Sequence, residues 1–476
     1  MRSRSMAAWV GWALWMAALL GGPAMAAPAP LSLPAEVQAA LARAGLPNDA
    51  LSAQVIEVDG SIPRLAYRVD ASINPASIMK LITTYAALEL LGPTYTWNTP
   101  VFADGAVREG VLEGNLHIKG SGDPQLVLER LWLLLRRVQQ MGIVEVRGDI
   151  VLDRTAFIVP AVDPGAFDGE PLRPYNVQPE ALLINYKTVA LGFVPDAARG
   201  TAQVLVDPPL AGVVVDPSVP LDLMAPCADW RAALKAELTD PGRIAFHGAY
   251  SPACGEKTWQ LAYVDAPNYA ARAIAGLWAQ LGGRLRGTVR DGVAPLHLSP
   301  LAVSTSAPLG QVVRDINKFS NNGMARQLFL TLGHVLRGVG TPATGREVVR
   351  RWIEAKWGPA PEVTLDNGAG LSRDARASVR FLSRLLQSAW AAPVMPDLVS
   401  SLPVTGQDGT LKRFTASAGT AHLKTGTLRD VQGVAGYVLA ASGKRYVLVA
   451  IVNHPNAPAA RAAIETLIDW TAKDVP

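Results

Sequence analysis

Asn74-Pro75-Ala76-Ser77-Ile78-Met79-Lys80-Leu81-Ile82-Thr83-Thr84-Tyr85 is the stretch from which the rest of the chain is read. Pro75 suits a position at or just before a first helical turn, and the apolar run after it continues as a helix. Ser77 and Lys80, three apart, then share one helix face. A serine hydroxyl becomes a nucleophile once a base takes its proton, and a lysine kept partly neutral by burial or nearby positive charge can be that base. Among the serines of this chain only Ser77 has a lysine three residues on. Taken alone, the pair is equally an ordinary helix start.

Two later stretches add chemistry. Lys318-Phe319-Ser320-Asn321-Asn322 holds an S-x-N triplet, a pattern also met at Ser72-Ile73-Asn74. His422-Leu423-Lys424-Thr425-Gly426-Thr427 reads as a strand and carries the chain's only K-T-G. The order S-x-x-K, S-x-N, K-T-G resembles the signature of class A β-lactamases and penicillin-binding proteins.

Ser320 stands 243 positions after Ser77, and Lys424 stands 104 after Ser320. The first gap is far too long for a β-lactamase. A large insertion there resembles the D-alanyl-D-alanine carboxypeptidase/endopeptidases, the low-molecular-mass class C penicillin-binding proteins. Gly120-Ser121-Gly122-Asp123-Pro124, Asp366-Asn367-Gly368-Ala369-Gly370-Leu371-Ser372-Arg373 and Leu402-Pro403-Val404-Thr405-Gly406-Gln407-Asp408-Gly409-Thr410-Leu411 resemble that family too.

The resemblance implies an α/β (α+β) fold: a transpeptidase-like domain with an antiparallel sheet flanked by helices, plus a large β-rich insertion. The expected catalytic domain is 27–97 with 298–476, and the expected insertion is 98–297, β-rich near 185–256. Ala53 to Val58 and Arg64 to Val69 read as a strand pair joined through Asp59-Gly60. His422 to Thr427, Val434 to Ala440 and Arg445 to Val452 read as strands of the same sheet. Leu309 to Leu332 reads as one helix, and Ile143 to Asp153 as one strand.

The resemblance also implies roles. Ser77 attacks a carbonyl carbon, and Lys80 is the base, its ammonium form disfavoured by Lys424. Ser320 relays a proton to the leaving amine. Asn322 holds Lys80 and the substrate peptide bond. Lys424 and Thr425 take a terminal carboxylate. The backbone N–H groups of Ser77 and Thr427 form an oxyanion hole, with Gly426 letting substrate lie close to the strand. Arg373 is a candidate for the substrate carboxylate or a loop brace, Asp123 a turn residue, and Asp168 a candidate to reach the site from the insertion. Arg429 stands where a neutral polar residue is expected. The implied substrate is the D-alanyl-D-alanine end, or the cross-bridge, of peptidoglycan stem peptides, with β-lactams as inhibitors. No cofactor or metal is expected, the histidines showing no metal-ligand spacing.

A β-lactamase is the first alternative. It requires a base for water, and Glu347, Glu354 and Glu362 lie in the interval where one would stand. A non-catalytic muropeptide-binding protein is the second, opposed by three intact motifs.

Composition agrees with export of a globular chain. The 476 residues are 49% hydrophobic and 18% charged, which excludes a disordered protein and suits two or three domains. Arg2 and Arg4, an apolar run from Met6 to Leu20 and Ala24-Met25-Ala26 read as a signal peptide over 1–26, cleaved after Ala26. The alternative is an uncleaved anchor, but the run is short for a span. A periplasmic location is expected, with no transmembrane segment after cleavage. Removing Arg2 and Arg4 lowers the formal charge from +4 to +2, too little to argue for nucleic acid. In an exported chain Cys227 and Cys254 are expected to pair, two separate buried thiols being the alternative.

Overall fold

The computed structural model describes residues 32–474. The expected signal peptide therefore lies outside the described residues. Among those described, no helix is long and apolar enough to cross a membrane.

One 5-stranded antiparallel sheet joins the two ends of the chain. Leu51–Glu57 pairs with Pro63–Tyr67 on one side and Arg445–Asn453 on the other. Val431–Leu439 and Ala421–Leu428 complete it, the latter as an edge strand. The first strand pair and the late strands thus share one sheet, as the sequence implied.

The strand Arg445–Asn453 reads as an almost unbroken apolar run because both its faces are covered. Side chains alternate across a strand. Val447, Val449 and Ile451 face a core built with Leu81, Tyr85, Leu382 and Leu386 from helices Lys80–Leu91 and Val379–Trp390. Tyr446, Leu448, Ala450 and Val452 face a second core with Val37, Leu41, Ile464 and Ile468 from helices Ala35–Arg43 and Arg461–Ala472. Each fully buried Val, Leu or Ile among them contributes ~1.5–3 kcal/mol relative to exposure.

Two elements differ from expectation. The single helix expected over Leu309 to Leu332 is two, Leu309–Phe319 and Asn322–Arg337. Ser320 stops the first by adopting a left-handed conformation (φ 54°), and the Asn321 side chain accepts from Met324 N to cap the second. The single strand expected over Ile143 to Asp153 is also two, Glu145–Val146 and Ile150–Asp153, which enter different sheets.

The remaining sheets lie between the two parts of the first. Asn98–Ala103, Leu116–Lys119, Ile150–Asp153, Val289–Asp291 and Ala302–Thr305 form a 5-stranded sheet. Thr188–Asp196, Thr201–Asp207, Ser218–Pro220 and Lys257–Ala262 form a 4-stranded one. These segments share their own hydrophobic core, including Leu135, Val189, Phe193, Tyr269 and Trp278. Cys227 and Cys254 form a disulfide across 27 residues of sequence.

Candidate active site

Ser77 lies on a short 3-10 turn, Ala76–Met79, and Lys80 opens the α-helix that follows. Asn74 builds the turn: its side chain accepts from Ala76 N at 2.9 Å and donates to the Ser372 carbonyl at 2.9 Å, while its own N–H donates to Asn453 at 2.8 Å. Ala76 takes a left-handed conformation, φ 48°. Gly370 abuts it so closely that a Cβ there would lie 1.9 Å from the Ala76 carbonyl oxygen. Backbone strain of this kind, ~1–3 kcal/mol per residue, persists where surrounding structure over-determines it.

Lys80 is fully buried. Its Nζ lies 2.9 Å from Ser77 Oγ, 2.6 Å from Asn322 Oδ1 and 2.6 Å from the Ala369 carbonyl oxygen. A neutral amine has two N–H bonds and one lone pair. Donating to Asn322 and Ala369 leaves the lone pair free to accept the Ser77 hydroxyl proton. Burial holds the Lys80 amine well below its ordinary value, and the positive charges of Lys424 and Arg326 add to the effect. Burial, more than Lys424, is therefore the main cause.

Lys424, also fully buried, lies on the edge strand Ala421–Leu428. Its Nζ donates to Ser320 Oγ and to the Thr425 carbonyl, each at 2.9 Å, and burial lowers its pKa to about 7. Gly426 brings this strand against the Ser77 turn: a Cβ there would meet the Pro75 carbonyl oxygen at 2.6 Å. Ser77, Lys80 and Asn322 thus form one hydrogen-bonded set and Ser320 with Lys424 a second, close enough that the charge of Lys424 acts on Lys80.

The stretch around Asp408 braces the segments that carry Ser320 and Lys424. Asp408 pairs with Lys318 at 2.6 Å and accepts from Val404 N at 2.8 Å, while Thr410 Oγ1 lies 2.8 Å from Thr425 Oγ1. Nothing in the sequence of this stretch signals those contacts. Nor does the sequence signal the parts played by the Ala369 carbonyl, Asn74 and Arg326. Arg326 follows Asn322 by one helical turn, is buried, and donates to the Val177 carbonyl at 3.2 Å.

The side chains of the other candidates lie outside these hydrogen-bonded sets. Arg373 pairs with Asp430 at 3.0 Å and stacks 4.5 Å from the Phe167 ring centroid, on the rim of a ≈500 Å³ cavity. Asp168 is engaged within its own loop, accepting from Tyr175 and Asn176 at 2.8 Å each. Asp123 accepts from Gln125 N at 2.8 Å and pairs with Arg130, as a turn residue does. Thr427 and Arg429 are exposed. Glu347 pairs with Arg337 and Arg351, and Glu354 with Arg350, all on outer helix surfaces.

A family model described as the D-Ala-D-Ala carboxypeptidase 3 (S13) family matches residues 33–474. The D-alanyl-D-alanine carboxypeptidase of an Actinomadura species is 32% identical over 444 residues, spanning 87% of this chain and 80% of that protein. The D-alanyl-D-alanine carboxypeptidase DacB of Haemophilus influenzae is 24% identical over 390 residues, 79% of this chain and 80% of that one. Among solved structures, penicillin binding protein 4 from Haemophilus influenzae aligns with a TM-score of 0.74 at 22% identity, over 92% of this chain and 99% of that chain. A predatory endopeptidase from Bdellovibrio bacteriovorus aligns with a TM-score of 0.51 at 15% identity, over 88% and 92%. At these identities the two structures speak for the fold.

Proposed function

The chain belongs to the D-Ala-D-Ala carboxypeptidase 3 (S13) family of serine peptidases, and from that premise we propose that its acyl-enzyme forms on Ser77. Lys80, neutral in its buried site, takes the Ser77 proton as Oγ attacks the carbonyl carbon of the penultimate D-alanine. The backbone N–H groups of Ser77 and Thr427 receive the developing oxyanion, beside Gly426. Asn322 holds Lys80 and the substrate amide in register. Ser320 passes the proton to the amine that leaves, and Lys424 with Thr425 binds its carboxylate. Water then hydrolyses the ester.

The observation that carries this assignment is the lysine's hydrogen-bond set: Ser77 Oγ at 2.9 Å and Asn322 Oδ1 at 2.6 Å around one buried amine. A catalytic lysine requires desolvation and a nucleophile within reach, and both are met here. Arg373 is a rim residue for the substrate in this reading, released from Asp430 on binding. The substrate is a peptidoglycan stem peptide, met in the periplasm, and β-lactams acylate the same serine. Residues 98–297 act as an insertion that walls one side of the cleft. The ion pairs of Glu347 and Glu354 support a peptidase over a β-lactamase, because both carboxylates are engaged away from Ser77.

Incubation of the mature protein with a pentapeptide muropeptide, read by mass spectrometry, should show loss of one D-alanine. Ser77→Ala should abolish it. An unchanged muropeptide with wild type would overturn the reading.

A further inference from the structure

The helix Asn322–Arg337 lies between the catalytic core and the insertion. Met324, Ala325, Leu328, Phe329 and Leu332 face the core that also holds Leu81 and Tyr85. Asn322, Arg326 and Leu330 follow one another at steps of four, so they share one stripe of the helix, with Gln327 at its flank. Asn322, at the head of the stripe, reaches Lys80. The insertion covers the rest. Leu330 packs with Phe157 and Ala181, and Arg326 donates to the Val177 carbonyl at 3.2 Å. Just past the helix, Ile158 N donates to the Gly340 carbonyl and Gly340 N to the Ala156 carbonyl, each at 2.9 Å.

Gln327 is fully buried, at a position where an apolar side chain would pack without needing a partner. Its amide pairs instead with both main-chain groups of Glu180: the Glu180 N–H donates to Oε1 at 3.0 Å, and Nε2 donates to the Glu180 carbonyl at 2.9 Å. Two bonds fix distance and orientation together, as a rung of a sheet does. Glu180 is itself held. Its carboxylate pairs with Arg154 at 2.9 Å and with Lys187 at 2.8 Å. Arg154 also reaches Asp291, on the 5-stranded sheet, at 3.1 Å. Lys187 ends a run, Asn185 to Lys187, in left-handed conformations with φ 43°, 54° and 51°. Such conformations persist where surrounding structure over-determines them. A chain of contacts thus leads from the insertion sheet through Asp291, Arg154 and Glu180 to Gln327, in the second turn of the helix that Asn322 opens.

We propose that Gln327 is a positioning residue for acylation: through its joint with Glu180, the insertion sets the place of Asn322 and so of the oxygen that Lys80 uses. The proposal rests on the peptidase reading above and deepens it, because it makes the insertion part of the machinery that acylates Ser77. A helix moves nearly as a rigid rod over a turn or two, since each N–H is tied to a carbonyl four residues back. A shift at Gln327 therefore arrives at Asn322. Asn322 Oδ1 sits 2.6 Å from Lys80 Nζ, and a displacement of about 1 Å takes that pair beyond hydrogen-bond range. Misplacement on this scale by a change remote from the chemistry costs about 100-fold in rate. Gln327 lines neither the ≈500 Å³ cavity beside Arg373 nor the ≈710 Å³ cavity beside Ser320, so it acts through Asn322 alone.

The test is stopped-flow acylation by benzylpenicillin, which separates the dissociation constant of the first complex from the acylation rate constant. It compares wild type, Gln327→Met, Gln327→Asn and Leu332→Ala. Methionine keeps the volume and removes both bonds; asparagine keeps the amide and shortens its reach by one methylene. Leu332 is fully buried on the core face of the same helix, so its truncation opens a cavity and leaves the Glu180 joint intact. In both Gln327 variants the rate constant is expected to fall at least about tenfold, with the dissociation constant unchanged, the pattern of an interaction used only in the transition state. Leu332→Ala should melt at lower temperature and acylate at the wild-type rate. An unchanged rate constant in a folded Gln327 variant, an equal loss in Leu332→Ala, or loss of the fold in both Gln327 variants overturns the proposal and leaves the joint a matter of stability. A wild type that benzylpenicillin does not label on Ser77 overturns the peptidase reading beneath it, which separates the two failures.

Discussion

Asn322 Oδ1 lies 2.6 Å from Lys80 Nζ, joining residues 242 apart in sequence. Among the described residues it is the one side-chain hydrogen bond between the S-x-N turn and Lys80, and its oxygen is neutral. Exchanging it for a carboxylate of the same shape would stabilise the ammonium form of Lys80. Asn322→Asp is therefore expected to move the acid limb of benzylpenicillin acylation upward by about one pH unit or more, the usual effect of an adjacent opposite charge. The measurement is the second-order acylation rate across pH. An unmoved limb would mean that Lys80 is not the base.

The two buried lysines predict a bell-shaped pH profile. Lys80 is held well below its ordinary value by burial, with Lys424 and Arg326 adding to it. As pH falls through that lowered value Lys80 protonates, the base is lost, and acylation slows. Lys424 is lowered to about 7, so as pH rises through that value it loses the charge that binds a carboxylate. For kcat/KM on a stem peptide, which reports the free enzyme, the alkaline limb should therefore begin near neutrality. For kcat it should lie higher, because a bound carboxylate favours the charged lysine. Coincident alkaline limbs would argue against Lys424 as the carboxylate anchor.

Gly370 packs against the turn that carries Ser77. It takes φ 76°, and an added Cβ would press on the Ala76 carbonyl, one residue before Ser77. Gly370→Ala should lower stability by ~1–3 kcal/mol through overpacking and strain, and should slow acylation at the same time. Calorimetry and penicillin labelling together check this. A variant with wild-type melting and labelling would show that the turn has room to shift.

The disulfide closes a loop with its cysteines 27 residues apart. Loop-closure reasoning assigns it ~3–4 kcal/mol. Free-thiol titration of the unreduced, denatured protein should find none. The double variant Cys227→Ser/Cys254→Ser should unfold at lower denaturant while still labelling with penicillin, since both cysteines lie far along the chain from the three motifs.

Much of the candidate site was legible because it is made of side chains in short fixed patterns. Ser77 and Lys80 follow from one helical turn, and Lys424 to Thr427 from one strand. The break at Ser320 was not legible, because apolar residues continue at helical spacing on both sides of it, from Leu309, Val312 and Val313 to Met324, Leu328 and Leu332. The signal present was Asn321, a capping residue followed three positions later by the N–H it accepts. The Ala369 carbonyl that holds Lys80 was not legible for a different reason: a backbone oxygen has no residue type. The left-handed run Asn185-Tyr186-Lys187 escaped because nothing in its residue types signals it; it is imposed by contacts distant in sequence. The division of Ile143 to Asp153 is forced at Gly148, where a Cβ would lie 2.4 Å from Asn115 Oδ1. A lone glycine in a strand pattern is the mark of such a close approach.

The central claim is that Ser77 forms the acyl-enzyme in a site without a dedicated base for fast release. A β-lactam ring opened by Ser77 keeps its amine tethered, so the leaving group blocks the approach of water. Each ~1.36 kcal/mol added to the deacylation barrier slows release about tenfold. Intact-mass spectrometry after mixing with benzylpenicillin should show a one-drug adduct that persists for minutes in wild type, maps to Ser77, and is absent from Ser77→Ala. An adduct on the Ser77→Ala protein, or rapid return to the unmodified mass with drug hydrolysed in many-fold excess, would contradict it.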